Sequence, residues 1–348
     1  MMKTYRKIGI IGRIDPERRL YDGQTVKTRM MYQLLCETYG EDAIVTVDTY
    51  DYMHRAPMVI ADFVRCLMTC DRLVVLLSTN GRRVFFPLLS FASNHMGKKV
   101  FHNLIGGSLA SNLEKYPKWV KYLNSFEVNW VEAQALVERL SEKGVSNSER
   151  LPNFKYFKSN DSHEKRLFDG RFRFCTFSRV VEQKGIGDAA AAVEQLCSEG
   201  KQCCLDVYGP IDKEYEQIFE RIIESSPHVE YKGCVAPEES VSTLSCYDAL
   251  LFPTKWESEG IPGTVIDALH AGVPVIASKW QYYDEMLEDG VTGFGYDYGA
   301  QNQLKAAIES FMSIDEYARG ELSSNCMCRA RDYSPESVKA IVCSELSA

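Results

Sequence analysis

The stretch 248–278, DALLFPTKWESEGIPGTVIDALHAGVPVIAS, constrains the fold more than any other part of this 348-residue chain. Ala249, Leu250, Leu251 and Phe252 form a short apolar run closed by Pro253, the pattern of a buried strand that ends at a loop. Gly260, Pro262 and Gly263 crowd the approach to a second periodic segment, 264–271, in which Val265, Ile266, Ala268 and Leu269 share one helical face and Pro262 suits the first turn. Gly272 ends that helix, and 273–277 reads as the next buried strand. A strand, a Gly-rich loop and a helix N-terminus make an anion site, because unpaired N–H groups and the helix dipole point the same way. Glu259 in the loop and Asp267 in the helix add two acceptor-only carboxylates that can face one polyol from different heights.

Strand and helix signals alternate along the rest of the chain. Strands are expected at 7–12, 43–47, 73–77, 99–105, 127–130, 172–177, 205–210 and 229–235. Helices are expected at about 25–39, 58–70, 131–143, 188–197, 280–287, 301–330 and 336–346, with Thr25 placed to cap the first. Such alternation argues for parallel, doubly wound sheets, in which ligands collect beyond the carboxyl ends of strands. The run Gly9-Ile10-Ile11-Gly12 lacks the third glycine of the dinucleotide fingerprint before Asp15-Pro16, so NAD is rejected. His102 lies inside an apolar run and reads as a structural histidine.

These residues resemble a family. A Pro-Thr loop, Glu-Gly, seven residues between two acids and Ala-x-x-Ala-Gly-x-Pro-Val-Ile-Ala-Ser are similar to the donor-site signature of the retaining glycosyltransferases of family 4. The wording of 257–264 is closest to members that build capsules and exopolysaccharides. One departure is Asp267, where the family usually has Glu; the shorter carboxylate must come closer to make the same bond.

The resemblance implies a GT-B fold: two facing Rossmann-like doubly wound α/β domains with a cleft between them. An acceptor-side domain is expected over 1–165, a donor domain over 166–330, and a last helix over 331–348 crossing back to the first domain. By the same resemblance, Arg179 and Lys184 hold the donor diphosphate and Glu259 the sugar hydroxyls, these three forming the catalytic set. Asp267 binds the ribose, Tyr208 and Gly209 lie near the base, and the backbone of Gly260, Ile261, Pro262, Gly263 and Thr264 bonds sugar or phosphate. Gly23, in the first Gly-rich loop, faces the phosphates; Asn80, Gly106 and Gly107 line the acceptor side. The physical need is plain for the cations: a departing diphosphate gains negative charge, and fixed positive groups stabilise it without reorganising.

No D-x-D pair occurs in the chain, so no metal and no cofactor is expected. Twelve cysteines fall in no C-x-x-C pairing and read as reduced thiols. No apolar run nears the roughly 20 residues of a membrane span, and the start is not a signal peptide, so the protein is expected in the cytoplasm or at the inner face of the plasma membrane. The net charge of −8 is uneven: 25 Lys and Arg against 18 Asp and Glu over 1–167, and 15 against 30 over 168–348. A basic half suits an anionic acceptor or membrane surface, whereas dispersed charges without a recognition module argue against nucleic acid.

The reaction implied moves a sugar from a nucleotide-diphosphate sugar, UDP favoured over GDP, to a saccharide or lipid-linked oligosaccharide acceptor. Two other readings stay open: a GT-B epimerase or hydrolase of nucleotide sugars, and a catalytically silent subunit that only binds them.

Overall fold

A computed structural model describes residues 7–17, 22–157 and 168–347. The polar run 159–165, read as a linker, lies outside them. The chain divides into two compact units: residues 1–156 with 334–348, and residues 157–333. The division thus falls before, not after, the polar run expected to precede residue 166.

The first unit holds a sheet of six strands, β1 (Lys7–Gly12), β2 (Ile44–Asp48), β3 (Cys70–Leu76), β4 (Lys99–Asn103), β5 (Val128–Val131) and β6 (Ser148–Arg150). Their order is β2-β1-β3-β4-β5-β6 and every pairing is parallel. The second unit holds β7 (Phe172–Phe177), β8 (Cys203–Tyr208), β9 (Val229–Gly233), β10 (Ala249–Phe252), β11 (Val275–Ser278) and β12 (Gly293–Tyr296), ordered β12-β11-β10-β7-β8-β9 and again all parallel. Parallel strands need helical crossovers on both faces, so their residues are buried above and below; β10 and β11 are buried at every position. The expected class, two doubly wound α/β domains, is the one found.

The cores follow from this layering. In the first unit Ile8, Ile10, Val74, Leu76, Phe101, Val128 and Trp130 of the sheet meet Met31, Leu34 and Leu35 of the helix Gly23–Tyr39 and Val338, Val342 and Leu346 of the helix Pro335–Ser347. The last helix therefore belongs to the first unit's core. In the second, Phe174, Leu205, Leu251 and Ile276 pack against Ala189, Val193 and Leu196 of the helix Ile186–Ser198 and against Ile308 and Phe311 of the helix Leu304–Ser313.

Four local expectations need correction. The helix after β1 is capped by Asp22, not Thr25: the Asp22 carboxylate accepts from the amides of Gln24 (3.1 Å) and Thr25 (3.3 Å) and from the Thr25 hydroxyl (3.0 Å). Asn80-Gly81-Arg82, where the sequence predicts no helix, starts a helix, Thr79–Met96, capped by Ser78, whose Oγ accepts from the Gly81 amide at 3.3 Å. Pro262 is the N-cap of the helix Gly263–His270, with extended backbone, and lies just outside its first turn. The long helical stretch 301–330 is broken: Asp315, extended, accepts from the Ala318 amide at 2.8 Å and starts a second helix, Glu316–Ala330. At Asp22, Ser78 and Asp315 a short polar side chain supplies a cap that competes with helix continuation.

Candidate functional site

In the second sheet β7 and β10 are neighbours, yet the chain leaves β7 toward β8 on one side and β10 toward β11 on the other. Successive helices then cover opposite faces, and a crevice opens beyond the carboxyl ends of β7 and β10, where ligands of such sheets bind. Two loops rim it, 178–185 after β7 and 253–262 after β10. They are pressed together. Gly185 has φ +69°, and a Cβ there would lie 2.0 Å from the Pro253 carbonyl oxygen, so only glycine fits. The Lys255 amide donates to the Gln183 carbonyl at 2.7 Å, and the Lys255 ammonium lies 2.6 Å from an Asp188 carboxylate oxygen.

This packing brings the three expected catalytic side chains to one place. The Lys184 ammonium is ion-paired with the Glu259 carboxylate, both side chains 13% exposed. The Thr254 hydroxyl donates to the same carboxylate oxygen at 3.1 Å while its oxygen accepts the Trp256 amide at 3.1 Å. Thr254 is itself held through its carbonyl, which accepts from the Ser278 hydroxyl at 2.6 Å. Arg179 is exposed, its guanidinium carbon 5.3 Å from the Trp256 ring centre; the Lys184 ammonium lies 5.8 Å from that centre and 5.5 Å from that of Phe252. The loop backbone is fixed as well: Trp280 Nε1 donates to the Gly260 carbonyl (3.1 Å) and the Gln281 amide group to that of Glu259 (3.2 Å). Ile261 and Pro262 are buried, and among the described residues no side chain caps the helix Gly263–His270. Its first amides accordingly carry the helix's positive end toward the loop.

The other second-unit candidates surround this point. Asp267 is buried in the helix and accepts from the Ser240 hydroxyl at 2.9 Å. The Thr264 hydroxyl oxygen is buried with no hydrogen-bond partner among the described residues. Tyr208 stacks on Phe177 with ring centres 4.9 Å apart, and its hydroxyl is 2.7 Å from that of Tyr247, which donates to Asp206 at 2.7 Å. Burial pushes both phenols up, so they stay protonated in neutral solution. Gly209 has φ +130°, and a Cβ would meet the Ser178 carbonyl oxygen at 1.8 Å; the Tyr231 hydroxyl donates to its carbonyl at 2.9 Å. Tyr208-Gly209 is thus pinned beside Ser178-Arg179.

Four expected residues belong to the first unit. Gly23 is the first residue of the helix Gly23–Tyr39. Asn80 is exposed in the first turn of Thr79–Met96, and Gly106 (φ +74°) and Gly107 follow β4. All stand beyond carboxyl ends of strands. Sequence reasoning missed a buried charged group there: Lys27 donates to Glu132 and to the Leu104 carbonyl, both at 2.6 Å, and Arg82 donates to the Ile105 carbonyl at 3.3 Å. Burial lowers the Lys27 pKa against the pull of Glu132, and holds Arg82 down to about 10. Lys27 gives no periodic signal in sequence, since it lies on the helix face that also carries core residues. Thr254 and Trp256 were also missed as individual residues; the Pro-Thr pair closing β10 was their only trace. Among the described residues no cluster of three His, Cys, Asp or Glu side chains could hold a metal ion.

The chain resembles proteins already known. The profile of the family described as glycosyl transferases group 1 matches residues 157–329. An uncharacterized protein from the cps region of Klebsiella pneumoniae is 27% identical over 188 residues, covering 52% of this chain and 48% of that protein. A putative colanic acid biosynthesis glycosyltransferase of Salmonella typhimurium is 26% identical over 144 residues, 40% of this chain and 35% of that one. The alignments thus span about half or less of these curated relatives. The crystal structure of Anabaena HepE in complex with UDP superposes with a TM-score of 0.76 over 98% of this chain and 99% of that one, at 16% identity, which shows a shared fold. Over residues 157–329, just under half of its length, this chain matches the glycosyl transferases group 1 family.

Proposed function

We propose that the protein transfers a sugar from a nucleotide-diphosphate sugar, UDP-linked rather than GDP-linked, to a saccharide acceptor carried on a lipid, in the assembly of a bacterial surface polysaccharide. The observation that carries the reading is the Lys184–Glu259 pair at the crevice between β7 and β10, with Arg179 beside it and an uncapped helix end below. The curated relatives named for polysaccharide assembly and the UDP held by the Anabaena protein support the substrate class.

In this reading the diphosphate settles against Arg179, Lys184 and the amides of Gly263 and Thr264. Arg179 offers a planar fork and Lys184 a point charge, and both act hardest when the glycosidic bond breaks and negative charge builds on the leaving phosphate. The Lys184–Glu259 pair orients both partners before the donor arrives, so little rearrangement is left for the reaction step. Glu259 then accepts hydrogen bonds from sugar hydroxyls, held in place by Thr254. Asp267 reaches the ribose, and Tyr208-Gly209 borders the base. The acceptor hydroxyl attacks from the face the phosphate leaves, giving retention, and the departing phosphate takes its proton. Fixed cations fill the place that a metal ion takes in other nucleotide-sugar enzymes.

The test is donor turnover by Glu259→Gln. The substitution keeps size and removes charge, so transfer should fall by about 100-fold or more, on the scale of losing one electrostatic contact to the reacting group, with the thermal unfolding of the second unit little changed. Transfer at near the parent rate would show that Glu259 does not hold the donor. The same assay run with EDTA should proceed unchanged.

A further inference from the structure

The first unit exposes a large apolar face that its own core does not explain. The helix Ala56–Thr69 buries Val59, Phe63 and Cys66, as a crossover helix must, yet its opposite stripe, Pro57, Ile60, Ala61, Val64 and Met68, is apolar as well and exposed. Ile60 is 62%, Val64 52% and Met68 75% exposed. The helix Thr79–Met96 repeats the pattern: beneath, Phe85, Phe86 and Leu89 are buried, while Val84, Leu88 and Phe91 face outward, Phe91 at 59%. A helix apolar on both sides is suited to a second apolar environment. The two helices are neighbours, joined by an edge-on contact of Phe63 and Phe85 with centres 5.3 Å apart. Their outward stripes therefore lie on adjoining helices, and exposed apolar side chains gathered in this way mark an interaction surface.

The rim of the patch says what covers it. Beside Thr79–Met96 lies a groove of about 380 Å³ lined by Arg83, Pro87, Lys115, Tyr116, Lys118 and Trp119. Arg83 lies 5.7 Å over the Tyr116 ring, which stacks on Trp119 at 4.6 Å. Arg83, Lys115, Lys118 and Lys121 have no carboxylate partner among the described residues. Residues 53–122 carry 10 Lys and Arg against 3 Asp and Glu, a net of +7, equal to the whole excess of residues 1–167. Apolar side chains flanked by aromatic rings and unpaired cations are the chemistry of an anionic bilayer surface, where acyl chains meet phosphate headgroups.

We propose that the outward face of the helices Ala56–Thr69 and Thr79–Met96 seats on an anionic phospholipid membrane, with Arg83, Lys115 and Lys118 taking lipid phosphates. The inference deepens the lipid-linked acceptor reading by assigning the surface that meets the lipid. It is testable without turnover.

The experiment is sedimentation of the whole chain with sucrose-loaded vesicles of phosphatidylcholine alone or mixed with phosphatidylglycerol. Binding is expected only to the mixed vesicles and should weaken as salt rises. Val64→Glu with Phe91→Glu should cut binding by at least about tenfold, and so should Lys115→Glu with Lys118→Glu, at the strength of a polybasic contact. The second pair changes exposed side chains only and keeps the test valid if the first disturbs folding. Glu259→Gln should bind vesicles as the parent does, so a failed docking reading and a failed transfer reading give different results. No binding to the mixed vesicles, equal binding to neutral ones, or binding untouched by both double variants would overturn the proposal. A dimer in light scattering that both double variants dissociate, with no vesicle binding, would assign the face to a second copy instead.

Discussion

Thr254 serves two partners with one hydroxyl: its proton goes to Glu259 and its oxygen takes the Trp256 amide. It is buried, so neither bond has water as a substitute. The isosteric Thr254→Val leaves the Trp256 amide unpaired, at a cost of about 1–3 kcal/mol, and frees Glu259 to turn away from Lys184. Turnover should fall by more than the stability loss accounts for, while Thr254→Ser should restore most of it. If Val and parent had the same kcat/KM for the donor, Glu259 would be positioned by Lys184 alone. The sequence offered the two charged residues, because resemblance picks out charges in a motif. It did not offer Thr254 as a positioning residue, since its role arises only when β10 and β11 bring its hydroxyl, its carbonyl and Ser278 together.

At the scale of elements, the strands were the most legible part of the chain. Phe172–Phe177 and Ala249–Phe252 stand where their apolar runs predicted, because strands buried on both faces leave no polar register to misread. The helix Thr79–Met96 was the least legible. It carries Gly81 in its first turn and Pro87 inside, and an interior proline costs about 3 kcal/mol of helix stability, so the stretch is absent from the helices the sequence predicts. Burial of Phe85, Phe86 and Leu89 overrides that penalty, and Pro87 itself faces outward. The same helix shapes the surroundings of His102 on β4. The imidazole meets Phe86 edge-on at 5.1 Å, and its Nδ1 is 3.2 Å from the Asn129 side-chain oxygen. Burial first, with the nearby Arg82 adding to it, pushes its pKa down to about 3. The unfolded chain takes up that proton near pH 6.5 and the folded one does not, so this stability is complete above about pH 6.5 and is lost as the pH falls toward 3. Between pH 7.5 and pH 5 the loss should be about 2 kcal/mol. Urea unfolding of the parent and of His102→Gln at these two pH values measures it: the variant, neutral throughout, should lack this share of the pH dependence. Equal slopes would mean that His102 is protonated in the folded protein.

For the molecule as a whole, sequence order and spatial order part company at the end of the chain. The second unit closes with Tyr333, whose hydroxyl donates to the Glu285 carbonyl at 3.0 Å, and residues 334–348 then belong to the first unit. The helix Pro335–Ser347 carries an apolar stripe at Val338, Val342 and Leu346, spaced by four, and all three are buried against the core that also holds Ile10, Met31 and Phe154. Full burial of such side chains contributes about 1.5–3 kcal/mol each, so the helix supplies about 5–9 kcal/mol, comparable to the whole stability of an ordinary domain. Ending the chain at Tyr333 should therefore leave the first unit without a cooperative transition, its core side exposed to dye and protease. The second unit, whose core among the described residues includes none beyond 333, should keep its own transition. Calorimetry and limited proteolysis of the truncated chain would read the two units separately. A donor nucleotide-sugar should still raise the melting of the second transition, because Arg179, Lys184, Glu259 and the helix Gly263–His270 all lie within it. If the truncated chain instead lost both transitions together, the units would fold as one, and donor binding would depend on the first unit.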